Sequence, residues 1–293
     1  MLATSQKVMV TAEDTPRGLS RRGSALSICK STVIKDLQTD IRYLPDLISR
    51  FIELTIRIAF FLLLSQVIAY KNINIGGAVL SGKNLFVFLQ GGLLLFVFNG
   101  TALGRPVNAV TRDLTNGTLE YLYATPSSRY AYFVGTIISS ALINVLLFFP
   151  IYVFLVFYSN ASLVNMLMVL LACLTALVAI VALGIMIALL AILWRQVGSI
   201  TAFIGLLFEF LSGAYIPVSA FPPFVRFASY LLPYTWANDL IRYYSFEGRW
   251  TTGFPIWIEW ITLISYAVLF TLISRFLLKK TEQRAKKSGL HVL

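Results

Sequence analysis

A single histidine, two cysteines and 13 acidic residues are all that these 293 residues offer a metal ion or a catalytic proton. The histidine, His291, stands among the last three residues, where it is solvated. With one imidazole and two isolated thiols, neither a metal cluster nor a Cys/His nucleophile can be assembled. Paired aspartates of the kind that hold magnesium and a diphosphate in membrane prenyl-transfer enzymes occur nowhere in the chain. One stretch, Gly77-Ala-Val-Leu-Ser-Gly82-Lys83-Asn84, comes close to a phosphate-binding loop. That loop needs Ser or Thr after its Lys, because the hydroxyl holds magnesium. Here Asn84 follows the Lys, no strand is predicted before it, and the stretch falls on the outer side of the membrane. No catalytic residue, metal or cofactor is therefore expected on this chain, and it does not read as an enzyme.

Charge is scarce too. Only 13% of residues are charged and 58% are hydrophobic, whereas soluble domains run near a quarter charged. The apolar residues fall into six blocks: Leu54–Tyr70, Leu85–Leu103, Ala131–Tyr158, Leu163–Leu193, Gly198–Ile216 and Pro255–Leu278. Each meets or approaches the ~20 residues that a helix needs to cross a bilayer. Short strands of alternating polarity, the mark of a membrane barrel, are absent. The expected fold is an all-α polytopic membrane protein with six transmembrane helices. The first span is the least apolar, since Glu53 and Arg57 sit at its start, spaced to pair with each other at the interface.

The net charge of +11 does not point to nucleic acid. With the N-terminus inside, 19 of the 24 Lys and Arg residues fall on the cytoplasmic side. Only Lys71, Lys83, Arg226, Arg242 and Arg249 lie outside. That bias predicts a multi-pass protein of the cell membrane with both termini in the cytoplasm. Trp236, Trp250, Trp257 and Trp260 then gather near the outer interface, where amphipathic rings settle. Cys29 and Cys173 are placed in the cytoplasm and mid-membrane, so no disulfide is expected. The opening residues lack an apolar h-region, so no signal peptide is predicted.

Between and around the spans the texture changes. Residues 1–30 are rich in Ser, Thr, Arg and Lys without periodicity, and read as a disordered cytoplasmic tail. From Ser31, apolar Ile34, Leu37, Ile41, Leu44, Ile48 and Phe51 recur at helical spacing, which predicts an amphipathic interfacial helix, bent or restarted at Pro45. After the fifth span, Pro217, Pro222, Pro223 and Pro233 cut an apolar stretch into pieces too short to cross. Short helices are predicted at Phe224–Leu232 and Thr235–Phe246, the second with Thr235 as N-cap. They form an extracytoplasmic, re-entrant helical region between spans five and six. The basic tail, residues 279–293, is expected to be cytoplasmic and to bind anionic lipid.

One polar stretch, "RDLTNGTLEYLYATPSSR" from Arg112 to Arg129, interrupts the apolar blocks on the cytoplasmic side. Leu119, Leu122 and Tyr123 share one face of a short helix that Pro126 ends just after Thr125. Exposed apolar residues on a cytoplasmic helix suit the groove of another protein.

This stretch resembles the cytoplasmic loop of ATP-binding-cassette type-2 permeases, the daunorubicin-resistance, nodulation and polysaccharide-export family. The similarity continues through "FLSGAYIPVSAFPP" (Phe210–Pro223) and "LLPYTWANDLIR" (Leu231–Arg242), and its order and spacing hold from about Ser31 to Leu278. The resemblance implies a transmembrane domain over residues 31–278 and a homodimer of permease subunits that forms the pathway of an exporter. Each subunit would dock a separate ATPase that carries the ATP and magnesium. Arg112, Asp113, Gly117, Thr118, Leu119, Glu120, Leu122, Thr125 and Pro126 would form the coupling segment, with Gly117–Thr125 as the coupling helix. Thr115 and Asn116 depart from the family's pattern, which often has acidic residues there. Ser212, Gly213, Pro217, Pro222 and Pro233 fall in the re-entrant signature.

Polar residues inside apolar spans usually face the interior of a bundle, where their groups find partners. Gln66, Gln90, Asn99 and Glu209 are such residues and are candidates for the pathway or the substrate. Asn144 and Pro150 are assigned to packing and a kink. Two readings of Glu209 stand: contact with a cationic substrate, or a structural acid paired with a Tyr or an external Arg. The rival function is an ion-gradient-driven secondary transporter, which predicts related halves with broken helices in matching places; no such repeat is visible.

Overall fold

In the computed structural model of the chain, the described residues are 25–42, 44–68, 73–75, 78–80, 82–99, 104, 129–193 and 198–288. Helix α1 spans Ala25–Arg42 and α2 spans Leu44–Ile68. Residues 25–30, expected in the disordered tail, are the opening turns of α1. Pro45 is the second residue of α2, where its missing N–H costs no helical bond.

Two strands, β1 (Ile73–Ile75) and β2 (Ala78–Leu80), form an antiparallel hairpin with Ile73 opposite Leu80. This small sheet departs from the all-helical expectation. Next come α3 (Lys83–Asn99), α4 (Arg129–Ser159), α5 (Leu163–Leu193) and α6 (Gly198–Leu211). A 3₁₀ turn at Val218–Ala220 leads to α7 (Pro223–Tyr230), α8 (Pro233–Ser245) and α9 (Ile256–Ser288).

Among the described residues, three helical stretches are long and apolar enough to cross a membrane: Val134–Ser159, Leu163–Ile187 and Ile256–Lys280. The other expected spans differ in physical ways. Helix α2 has 25 residues but carries Arg50, Glu53 and Arg57. Helix α3 has 17 residues. Helix α6 stops at Leu211 after 14 residues, about 21 Å at 1.5 Å per residue, well short of a ~30 Å hydrocarbon layer.

The core is built around α5. Its Ala172, Ala176 and Ala179 are fully buried, and small side chains let helices approach closely in a membrane protein. Helix α5 packs against α9 and α8, and α3 packs against α4. Every residue from Leu85 to Leu95 of α3 is buried, which matches a helix apolar on all sides. Helix α1 lies along α4 with an unusual polarity. Thr32 and Asp36 are buried, whereas Leu26, Ile34 and Ile41 are exposed.

The two short helices predicted after the fifth span, here α7 and α8, begin earlier than predicted, each with a proline in its first turn. Leu232, not Thr235, is the N-cap of α8. The Thr235 hydroxyl instead donates to the Ser229 carbonyl at 2.6 Å, tying α8 back to α7. The tryptophans divide in role. Trp257 is exposed, but Trp236 and Trp250 are buried in the protein, with the Trp236 indole N–H on the Tyr230 carbonyl.

Candidate functional site

Helices α2 and α6 meet through side chains. The backbone packing of α2 is against α1 and α3, and that of α6 is against α7 and α8. Across the seam, Arg57 Nη1 donates to Glu209 Oε1 at 3.4 Å and to the Tyr215 hydroxyl at 3.2 Å. The Tyr215 hydroxyl in turn donates to Glu209 Oε1. Phe61 of α2 meets the Tyr215 ring edge-on, 6.1 Å between centroids. The other edge of the guanidinium reaches Glu53 one turn earlier, at 3.3 Å, as the sequence spacing predicts. Its flat face lies 4.0 Å from the centre of the Phe96 ring of α3, a favourable cation–π distance. Glu209 therefore has a tyrosine and an arginine as partners, and the arginine is Arg57 of α2.

The acid sits on a firmly held turn. Just past α6, Ser212 Oγ donates to the Glu209 carbonyl at 2.8 Å. The Asn238 amide of α8 reaches both the carbonyl and the hydroxyl of Ser212 at 3.2 Å. Arg242, 1% exposed, donates to the Gly213 carbonyl and, at 3.1 Å, to the Ala214 carbonyl. Its guanidinium stacks 3.8 Å above the Phe88 ring. Gly213 has φ +78°, a left-handed conformation that a side chain rarely adopts. A Cβ at Gly92 of α3 would come within 2.7 Å of the Ala214 oxygen, so helix and turn touch backbone to backbone.

These contacts explain the signature residues. Gly213 permits the turn, and Ser212 is its anchor point. Pro217 precedes the 3₁₀ turn, Pro222 caps α7, and Pro233 opens α8. Burial pushes Asp239, one helical turn before Arg242, up to about 6 despite the opposing charge of Arg242. Burial likewise lowers Arg242 to about 10, so it remains a cation at neutral pH.

The other polar candidates are dispersed. Gln90 is fully buried and its amide donates to the Ile151 carbonyl of α4 at 3.3 Å. Asn144 donates to the Val97 carbonyl at 3.2 Å, which links α4 to α3. Gln66 borders a cavity of about 410 Å³ with Ser65, Lys83, Phe86 and Tyr158. Asn99 ends α3, and its side chain lies outside the described set. The coupling segment, from Arg112 and Asp113 through Gly117, Thr118, Leu119, Glu120, Leu122 and Thr125 to Pro126, also lies outside the described residues. Among the described residues, no group of three or more His, Cys, Asp or Glu side chains could hold a metal ion.

Arg57 as the partner of Glu209 was not apparent from sequence, where its i,i+4 neighbour Glu53 was enough to account for it. Asp239 and Arg242 did leave a signal. An acid and a base three residues apart inside an otherwise apolar segment mark a buried pair.

No curated protein matches the chain. Residues 44–246 match the family model described as ABC-2 type transporter. The matched stretch covers more than two thirds of the chain, from the start of α2 to just past α8, and includes the seam and the anchored turn. The chain belongs to the ABC-2 type transporter family and is a membrane permease of the ABC transporter class.

Proposed function

We propose that the chain is the permease subunit of an ATP-driven exporter, that two copies form the pathway, and that a separate ATPase subunit supplies the energy. The observation that carries this reading is the family match over residues 44–246. Helices α2, α3 and α6 complete six crossings together with the three long apolar helices. In this arrangement α6 is extended by the turn through Ile216, and α7 and α8 enter the membrane from outside without crossing it.

The exposed faces support a membrane setting. Ile52, Ile56, Phe60, Leu63 and Val67 of α2 and Phe203, Leu206 and Phe210 of α6 leave apolar surface uncovered in the single chain. Lipid or a second copy would cover it. The exposed Leu26, Ile34 and Ile41 of α1 suit a helix lying in the headgroup plane. The charge bias puts both termini in the cytoplasm. The coupling role rests on the resemblance of residues 112–126 to the family's cytoplasmic loop. Leu119, Glu120 and Leu122 are the docking residues, and ATP and magnesium belong to the partner.

Co-purification with the cognate ATPase tests the reading, together with ATP hydrolysis stimulated by substrate in proteoliposomes. Leu119→Lys combined with Glu120→Lys is expected to abolish both complex and transport while the permease still inserts. Transport by the chain alone on an ion gradient would overturn the proposal.

A further inference from the structure

The cavity of about 410 Å³ beside Gln66 lies where three helices end. Its walls include Leu62, Ser65 and Gln66 of α2, Lys83 and Phe86 of α3, and Tyr158 of α4. Gln66 stands two residues before the end of α2, Lys83 opens α3, and Tyr158 is the last residue but one of α4. Helix ends mark the membrane boundary, so the cavity sits at headgroup level rather than in the hydrocarbon. Its volume falls within the roughly 300–1,000 Å³ of small-ligand sites.

The wall residues carry one positive charge and no carboxylate. Lys83 is exposed, and among the described residues its ammonium has neither a hydrogen-bond nor an ion-pair partner. The Gln66 amide and the Tyr158 hydroxyl are likewise uncommitted there. The Ser65 hydroxyl is spent on the Leu62 carbonyl at 2.7 Å. The Tyr158 ring is held against the buried Phe86, 4.8 Å between centroids. Helix α3 also begins here: the Phe86 N–H closes its first turn on the Gly82 carbonyl at 3.1 Å. The positive end of a helix adds to the charge of Lys83.

We propose that this cavity holds the phosphate headgroup of an anionic membrane lipid, with Lys83 as its counter-charge and Gln66 and Tyr158 as hydrogen-bond donors. An ammonium, an amide and a phenol with no acid among them select a ligand that is negative and rich in acceptor oxygens. The source is lipid rather than a free anion because the same cavity is part apolar, walled by Leu62 and Phe86, and stands at the membrane boundary. The inference rests on reading α2, α3 and α4 as membrane crossings. It does not depend on the ATPase, so its test and the test of the exporter reading fail separately.

Native mass spectrometry of the full chain in detergent, titrated with phosphatidylglycerol, phosphatidylcholine and inorganic phosphate, provides that test. For its tightest-bound lipid, the unaltered chain should prefer phosphatidylglycerol over phosphatidylcholine by about fivefold, the scale of one lysine near an anionic headgroup. Lys83→Gln should remove the preference, and Lys83→Arg should keep it. Gln66→Trp leaves every charge in place but fills the cavity with an indole, and it too should remove the preference. Tyr158→Phe keeps the ring on Phe86 and should weaken phosphatidylglycerol binding several-fold. An unchanged preference in Lys83→Gln or in Gln66→Trp would overturn the site, the latter by showing that charge acts there without the cavity. Displacement of the lipid by an equal concentration of inorganic phosphate would overturn lipid as its occupant.

Discussion

Arg57 of α2 and Glu209 of α6 are 152 residues apart in the chain and 3.4 Å apart in space. The pair spans the seam between α2 and α6, where Phe61 also meets the Tyr215 ring edge-on. Leu54 and Phe61 of α2 lie in one apolar core against which Phe208 and Tyr215 also pack, so the ion pair reinforces a packed contact.

The strength of the tie is measurable. Glu209 is 10% exposed and Arg57 30%, so the pair is partly shielded from water. A double-mutant cycle of Arg57→Gln and Glu209→Gln, read by thermal unfolding in detergent, should give a coupling energy of about 1–3 kcal/mol. Tyr215→Phe keeps the ring against Phe61 and loses only the hydroxyl; it should cost about 1 kcal/mol. A coupling energy indistinguishable from zero would mean that the seam is held by the Phe61–Tyr215 contact alone.

The buried pair on α8 predicts a pH dependence of known sign. The folded chain raises Asp239 from an ordinary 3.8 to about 6, chiefly because burial disfavours its charged form. A raised folded value means that the folded state holds this proton more tightly than the unfolded state. The associated stability is fully present below about pH 4 and is lost as pH rises through about 6. The loss amounts to roughly 3 kcal/mol, at ~1.4 kcal/mol per unit. Asp239→Asn should remove this dependence, so the difference in melting temperature between variant and parent should change between pH 4 and pH 7. Parallel melting curves over that interval would show that Asp239 is not responsible.

Much of this architecture was legible in the sequence, for a plain reason. Helices α4, α5 and α9 each hold a stretch of 25 or 26 residues long and apolar enough to cross a membrane, more than the ~20 that a crossing needs. The prolines likewise announced the short helices α7 and α8, since a proline in the first turn of a helix gives up no hydrogen bond. Other features were hidden because they depend on distant residues. Thr235 has the chemistry of an N-cap, but Pro233 already opens the helix, and the Thr235 hydroxyl found the Ser229 carbonyl instead. Glu53 masked the long-range partner of Arg57. The polar inner face of α1, with Thr32 and Asp36 buried and Leu26, Ile34 and Ile41 exposed, inverts the usual rule and so could not be read from periodicity alone.

The backbone contact between Gly92 and Ala214 gives the sharpest test of how the anchored turn is held. At Gly91 an added Cβ would meet only the Ile241 Cγ2 methyl at 3.2 Å, a side-chain atom that can shift by a few tenths of an ångström. At Gly92 the added atom would meet the Ala214 carbonyl oxygen at 2.7 Å. That oxygen is itself bonded to the buried Arg242, so it has little freedom to retreat. Gly92→Ala should therefore cost about 1–3 kcal/mol, the range for overpacking, and Gly91→Ala clearly less. The Gly92 variant should also weaken the Arg57–Glu209 coupling measured above, because displacing the turn moves Tyr215 away from the seam. If the two alanine variants melt together and the coupling is unchanged, α3 does not brace the turn, and Asn238 and Arg242 alone hold Glu209 in place.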